Sequence, residues 1–397
     1  MALKLARRGR IPPFIVMDVM RAANQREAAG GDVLHLEVGQ PGTGAPRGVI
    51  EAAEATLASD RLGYTDALGI APLRERIAGH YQEFYALDVP VEHIVVTTGS
   101  SGAFILGFLA AFEAGDRVAL VSPGYPAYRN ILQALGVQVV NIESGPETRF
   151  QPSVELLEKA ADGGTLDGLI LASPSNPAGT MIPRAAFEAL ADYCQAAGIR
   201  LISDEIYHGI TFGAPAISAL EFSDRAIIVN SFSKYFSMTG WRLGWMVVPD
   251  DLLRAVECLA QNIYVSPPTL SQWAAVAAFD CHEELQANVA RYAANRELLL
   301  RELPKAGFDR LAPADGAFYI YANVSHLTND SEDFCRRMLR ETGVATTPGI
   351  DFDPGRGRAY LRFSFAGTTA EMAQAARRLI AWTGRRSKPR RTARRRR

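Results

Sequence analysis

Between Ile94 and Val248 the chain repeats one pattern: a short apolar run rich in β-formers, then a turn, then in most cases a helical segment. The runs are Ile94–Thr98, Val118–Ser122, Val137–Ile142, Leu169–Ala172, Arg200–Ser203, Ala226–Asn230 and Gly244–Val248. Each is too short for a stable helix. A strand apolar on both faces must be covered on both, and crossover helices between parallel strands supply that cover. The pattern predicts an α/β fold built on a mostly parallel seven-stranded sheet sandwiched by helices.

The flanks differ. A helix over Met17–Ala29 ends at Gly30-Gly31, and Val33–Val38 reads as a strand followed by the loop Gly39–Gly44. Helical patterns span Arg47–Ala58 and Ala71–Tyr85 before the sheet, and Leu252–Asn262 and Leu270–Leu303 after it. Beyond Pro304 the alternation shortens, with strands at Ala317–Tyr321 and Tyr360–Phe365 and helices at Ser331–Thr342 and Thr369–Thr383. A chain of 397 residues accommodates two domains. The expected division is an arm and small-domain segment (1–44), a large domain (45–285), a smaller α+β domain (286–383) and a basic, disordered tail (384–397).

Several function classes drop out. No 18-residue apolar span is present, so a membrane-crossing helix is not expected. Arg7, Arg8 and Arg10 precede an apolar stretch, but Pro12, Pro13 and Asp18 interrupt it and no small-residue cleavage site follows. The N-terminus therefore reads as that of a cytoplasmic protein. Cys194, Cys258, Cys281 and Cys335 are widely spaced, and the six histidines form no His-x-x-x-His pair, which argues against disulfides and metal. Formal net charge is −1, yet residues 384–397 carry nine Lys/Arg and no acid, which leaves an acidic body. That is not a nucleic-acid-binding footprint.

Chemistry-bearing residues fall at the strand ends, where ligands of open parallel sheets bind. Gly99-Ser100-Ser101-Gly102 opens a helix whose N–H groups suit an anion. Ser173-Pro-Ser-Asn176-Pro-Ala-Gly179, Asp204-Glu-Ile-Tyr207 and Ser231-Phe-Ser233-Lys234 close three further strands, with Arg242 shortly after the last. Each taken singly could be a turn or a cap. Lysine is costly to bury, and the chain has five lysines among its 42 basic residues. Only Lys234 follows a core strand. A partly desolvated amine loses its proton readily and can form a Schiff base.

These segments, with Met238-Thr-Gly-Trp-Arg-Leu-Gly244 and Leu361-Arg-Phe-Ser364, resemble class I/II aminotransferases of the fold-type I pyridoxal-phosphate enzymes over about residues 30–383. The resemblance implies that pyridoxal 5'-phosphate is the cofactor and Lys234 its Schiff-base lysine and proton carrier. It makes Asp204 the partner of the ring nitrogen, Tyr207 and Asn176 the partners of the ring oxygen, and Tyr125 the stacking aromatic. It assigns the phosphate to Ser100, Ser101, Ser231, Ser233 and Arg242, with Tyr64 reaching in from the neighbouring subunit of a homodimer. Arg362 becomes the bidentate grip on the substrate α-carboxylate, with the backbone of Gly39 and Asn176 beside it.

Some dicarboxylate-specific relatives carry lysine where this chain has Ser101, so a neutral or apolar amino donor is expected. The implied activity is ping-pong transfer of an amino group from an L-amino acid to a 2-oxo acid. A carbon–sulfur β-lyase would share nearly every cofactor residue. A non-catalytic ligand-binding regulator would need a DNA-binding module, and about 30 residues before the matching region are too few for one.

Overall fold

A computed structural model describes residues 3–59 and 62–386; residues 387–397 of the expected basic tail lie outside them. Its strands are β1 (Leu34–His35), β2 (Ile94–Thr97), β3 (Arg117–Ser122), β4 (Gln138–Glu143), β5 (Gly168–Ala172), β6 (Arg200–Asp204), β7 (Ile227–Ser231), β8 (Gly244–Val247), β9 (Arg310–Leu311), β10 (Tyr319–Asn323), β11 (Val344–Ala345), β12 (Thr347–Pro348) and β13 (Tyr360–Ser364). Seven of them form one sheet in the order β2-β8-β7-β6-β5-β3-β4. All its pairings are parallel except the two made by β8, which runs antiparallel to β2 and to β7.

Strands β2, β7 and β8 are buried along their whole length, and β5 and β6 at all but one residue each, as their apolar runs require. The helix Ser100–Ala111 is apolar nearly all round, with Ala103, Phe104, Leu106 and Phe108 buried. Such a helix belongs inside, where its Gly107 faces Met246 and Ile227 of the sheet. Because β8 is reversed, its amino end lies with the carboxyl ends of the others. Arg242, just before β8, is thereby brought next to Ser100, just after β2.

A second sheet, in the order β12-β13-β10-β9, is antiparallel. The short parallel pair β1-β11 sits with it. The expected six-residue strand at Val33–Val38 shrinks to two residues because β11 is only two residues long. Beyond it the chain leaves the ladder: the Leu36 carbonyl accepts from Ser364 N (2.7 Å) and the Glu37 carbonyl from Thr347 Oγ1 (2.7 Å). The helical stretch expected over Leu270–Leu303 is also broken, into helices Thr269–Val276 and His282–Glu302 separated by a 3₁₀ turn, Ala277–Asp280. The turn swings Phe279 inward against His80 and Phe236 and sets Asp280 2.5 Å from Arg76. At the C-terminal end the helix from Thr369 runs on to Arg386. Among the described residues no helix is long and apolar enough to cross a membrane.

Candidate active site

The strand ends converge on a cavity of about 600 Å³. Ser100, Ser101, Tyr125, Asn176, Asp204, Tyr207, Ser233, Lys234, Arg242, Arg362 and Gly39 all line it. Ser231 and Tyr64 do not. The Ser231 hydroxyl accepts from Ser233 N (3.1 Å) and donates to the Leu243 carbonyl (3.1 Å), so it braces the turn that presents Ser233. Tyr64 lies in a loop and is 87% exposed.

Asp204 ends β6, where the strand delivers its carboxylate into the buried floor. It accepts from the Tyr128 hydroxyl and from Ile206 N (3.0 Å). Burial raises its pKa from 3.8 to about 6, against the opposing pull of Tyr128, the Ile206 N–H and Lys234. Lys234 Nζ donates to the Gly39 carbonyl at 2.5 Å. Burial, and then the nearby Arg362 charge, lowers its pKa to about 8, with Asp204 acting the other way. An amine so depressed is available as a nucleophile and base near neutral pH.

Arg362 comes from β13 and is almost wholly buried. Its Nη1 donates to Asn176 Oδ1 (2.8 Å), and its Nη2 donates to the Glu37 carbonyl and meets Thr347 Oγ1 at 3.3 Å. The guanidinium carbon lies 4.3 Å from the Tyr319 ring centroid and 4.8 Å from that of Phe352. Two aromatic faces and three oxygen atoms fix its plane, yet Nε is buried with no partner among the described residues. A fixed guanidinium with a spare N–H suits a carboxylate. Tyr207 shares a 2.6 Å hydroxyl contact with Tyr319, and burial pushes its pKa well up. Burial also raises that of Tyr125, to about 12.

At the cradle by Ser100 the backbone has no room to spare. Gly99 has φ +77°, and a Cβ there would come within 2.8 Å of Arg242 Nη2. The first turn of the Ser100–Ala111 helix, the Ser100, Ser101 and Ser233 hydroxyls and the Arg242 fork form a donor set for a phosphate dianion. With the carboxylate of Asp204 and the amine of Lys234 in the same cavity, the residues present fit pyridoxal 5'-phosphate.

Sequence reasoning did not find Tyr128, which sits in the first turn of the helix Pro126–Leu135 and meets the ring of the preceding cap residue Tyr125 edge-on at 5.2 Å. It also missed Tyr319, and the apolar wall made by Phe14, Val16, Met17 and Met20 at the start of the helix Ile15–Ala28. Nothing local marks that wall; an amphipathic first helix reads as ordinary packing.

A parallel sheet closed by one reversed strand, with a lysine, a buried aspartate and an anion cradle at its carboxyl edge, defines a fold-type I pyridoxal-phosphate enzyme. The chain belongs to the family described as aminotransferase class I and II, which matches residues 31–379. It is 53% identical over 383 residues to the valine–pyruvate aminotransferase of Mycobacterium tuberculosis, covering 96% of this chain and 98% of that one. It is 34% identical to the (5-formylfuran-3-yl)methyl phosphate transaminase of Methanocaldococcus jannaschii, covering 89% of this chain and 92% of that one. A crystal structure of an aminotransferase from Mycobacterium tuberculosis superposes with a TM-score of 0.94 at 52% identity, covering 97% of this chain and 100% of that one. The protein is an aminotransferase that moves an amino group from an amino acid to a 2-oxo acid, and its cofactor is pyridoxal 5'-phosphate.

Proposed function

We propose that the amino donor is a neutral, apolar L-amino acid of the valine type and that a 2-oxo acid such as pyruvate is the acceptor, in a ping-pong cycle. The observation that carries this is the lining of the cavity. Its cations are Lys234, Arg242 and Arg362, and each already has a task. Among the described residues no fourth lining cation remains for a second carboxylate, while Phe14, Val16, Met17, Met20, Val38 and Ile206 offer apolar surface to a side chain. The name of the Mycobacterium tuberculosis relative agrees with this reading.

Bound in the cavity, pyridoxal 5'-phosphate supplies an aldehyde that condenses with amines and a ring that accepts electrons. Ser100, Ser101, Ser233 and Arg242 would hold its phosphate, with Ser231 bracing Ser233. Asp204 would keep a proton on the ring nitrogen, aimed by Tyr128 and the Ile206 N–H. Tyr125 would cover a ring face, and Tyr207 and Asn176 would serve the ring oxygen. Arg362 grips the substrate carboxylate beside Gly39 and so orients the Cα–H bond. Lys234 Nζ takes the proton from Cα. Tyr64, too exposed to serve its own cavity, completes the phosphate site of a partner in a cytoplasmic homodimer.

The test is kcat/KM for valine, alanine, methionine, an aromatic amino acid and aspartate, each with pyruvate and 2-oxoglutarate. Valine or another apolar donor is expected to exceed aspartate by about 100-fold or more. A preference for aspartate overturns the reading. The same assay run without a 2-oxo acid on a cysteine S-conjugate, which carries a sulfur leaving group on Cβ, separates transamination from β-elimination, because only a lyase would release pyruvate and ammonia continuously.

A further inference from the structure

The apolar wall of the cavity begins a helix that has no cap of its own. Phe14 occupies the cap position of Ile15–Ala28 and offers no side-chain acceptor. The first N–H groups of a helix need partners, and here they find one far along the chain. Asp351 Oδ1 accepts from Ile15 N and Asp351 Oδ2 from Val16 N, each at 3.1 Å. The carboxylate is buried and lies at a helix N-terminus, where negative charge is favoured.

The turn that carries Asp351, Gly349–Asp351, is tied down on its other sides. The Asp351 carbonyl accepts from Arg129 Nη2 (3.3 Å) and the Phe352 carbonyl from Gly124 N (3.1 Å). Arg356 Nη2 reaches the Ser122 carbonyl at 2.7 Å, and Arg356 Nε is held by Asp353 at 2.8 Å. The Phe352 ring, next in sequence to Asp351, covers a face of Arg362. One rigid turn thus touches both the arginine that grips the carboxylate and the backbone of the wall that meets the side chain.

We propose that Asp351 is a specificity-positioning residue: by capping the first helix across the chain, it sets the distance between the Arg362 grip and the apolar wall of Phe14, Val16, Met17 and Met20. The inference rests on the apolar-donor reading above. Asp351 does not line the cavity; its charge also faces those of Arg362 and Arg129, an effect that bears on every donor's carboxylate alike and so cancels in a ratio of two donors, whereas its action through the helix does not. A donor long enough to reach the wall depends on it, whereas alanine, whose methyl stops short, depends on it little.

The test compares Asp351→Ala, Asp351→Asn and Ile15→Pro on the cofactor-loaded enzyme, with valine and alanine as donors. Asp351→Ala is expected to raise KM for valine about 10-fold, the scale of one methylene's worth of pocket contact, with kcat within about 3-fold. The valine/alanine ratio of kcat/KM then falls about 10-fold. Asn keeps one acceptor and is expected to give an intermediate ratio. Ile15→Pro removes one donor from the other partner at a position where proline suits a helix start, after a Phe14 already extended at φ −90°, ψ 101°. It is expected to match Asn and to add little on top of Asp351→Ala. Equal losses for valine and alanine, or an unchanged ratio in Asn and Ile15→Pro, overturn the inference. Because Asn preserves bulk and proline suits the first helical position, these two variants decide the matter even if Asp351→Ala does not fold. A wild-type preference for aspartate would instead strike at the donor reading, and it shows before any variant is made.

Discussion

At the scale of single residues, the active site keeps a carboxylate where the protein interior disfavours charge. Asp204 has its pKa raised from 3.8 to about 6 by burial. Its ionisation is therefore easier in the unfolded chain, so this group lowers stability progressively from about pH 4 to pH 6 and fully above that. Asp204→Asn removes the charge and can still accept from Tyr128 or Ile206 through its amide oxygen. Free of cofactor, the variant is expected to be more stable than the wild type by about 2 kcal/mol at pH 7. The gain should vanish below about pH 4, where the acid is neutral in both states. Turnover is expected to fall about 100-fold or more, because an amide cannot hold the ring nitrogen's proton. Urea unfolding at pH 4 and pH 7 measures the first effect and kcat the second. A variant less stable at pH 7 would mean that the Tyr128 bond outweighs the buried charge.

At the scale of elements, the chain could be read where local pattern decides and not where tertiary partners do. The strand ends of the large sheet were visible because doubly covered strands leave unbroken apolar runs, and the polar residues after them stand out. Helices Ala71–Tyr85 and Ser331–Thr342 are marked by their own periodicity and, for the latter, by the Asp330 cap. The stretch Val33–Val38 looked like a full strand because alternation says nothing about how long its partner is. The roles of Phe14 to Met20 and of Asp351 depend on contacts across nearly the whole chain, which no window of sequence reveals. Gly39 sits at such a crossing: a Cβ there would fall 1.7 Å from Tyr319 Oη, while its carbonyl receives Lys234. Gly39→Ala must push β10 or the loop aside, at a cost of about 1–3 kcal/mol. It should also lower kcat by displacing the amine. Denaturant midpoint and kcat measured together check this, and a variant with wild-type values in both would refute the close approach.

At the scale of the whole molecule, the cavity is one half of an expected pair. Besides Tyr64, the side chains of Ile263, Val265 and Trp273 are exposed, and Tyr64 and Trp273 line a shared open hollow. In the proposed homodimer this surface is covered and Tyr64 enters the partner's phosphate site. Sedimentation is expected to give twice the 43.1 kDa chain mass. Tyr64→Phe should keep that mass and weaken cofactor retention about 10-fold, the worth of one hydrogen bond to a charged group. A monomer, or a Tyr64→Phe variant that holds cofactor as tightly as the wild type, would remove this residue from the site. The reversed strand β8 has a further consequence. Ser100 and Arg242 become neighbours only once β8 has slotted between β2 and β7, so the anion cradle is absent from any chain in which β8 has not yet docked. Vitamin B6 uptake by nascent or refolding molecules would then act as a completion signal, favouring by mass action the population in which the last sheet strand has been threaded home.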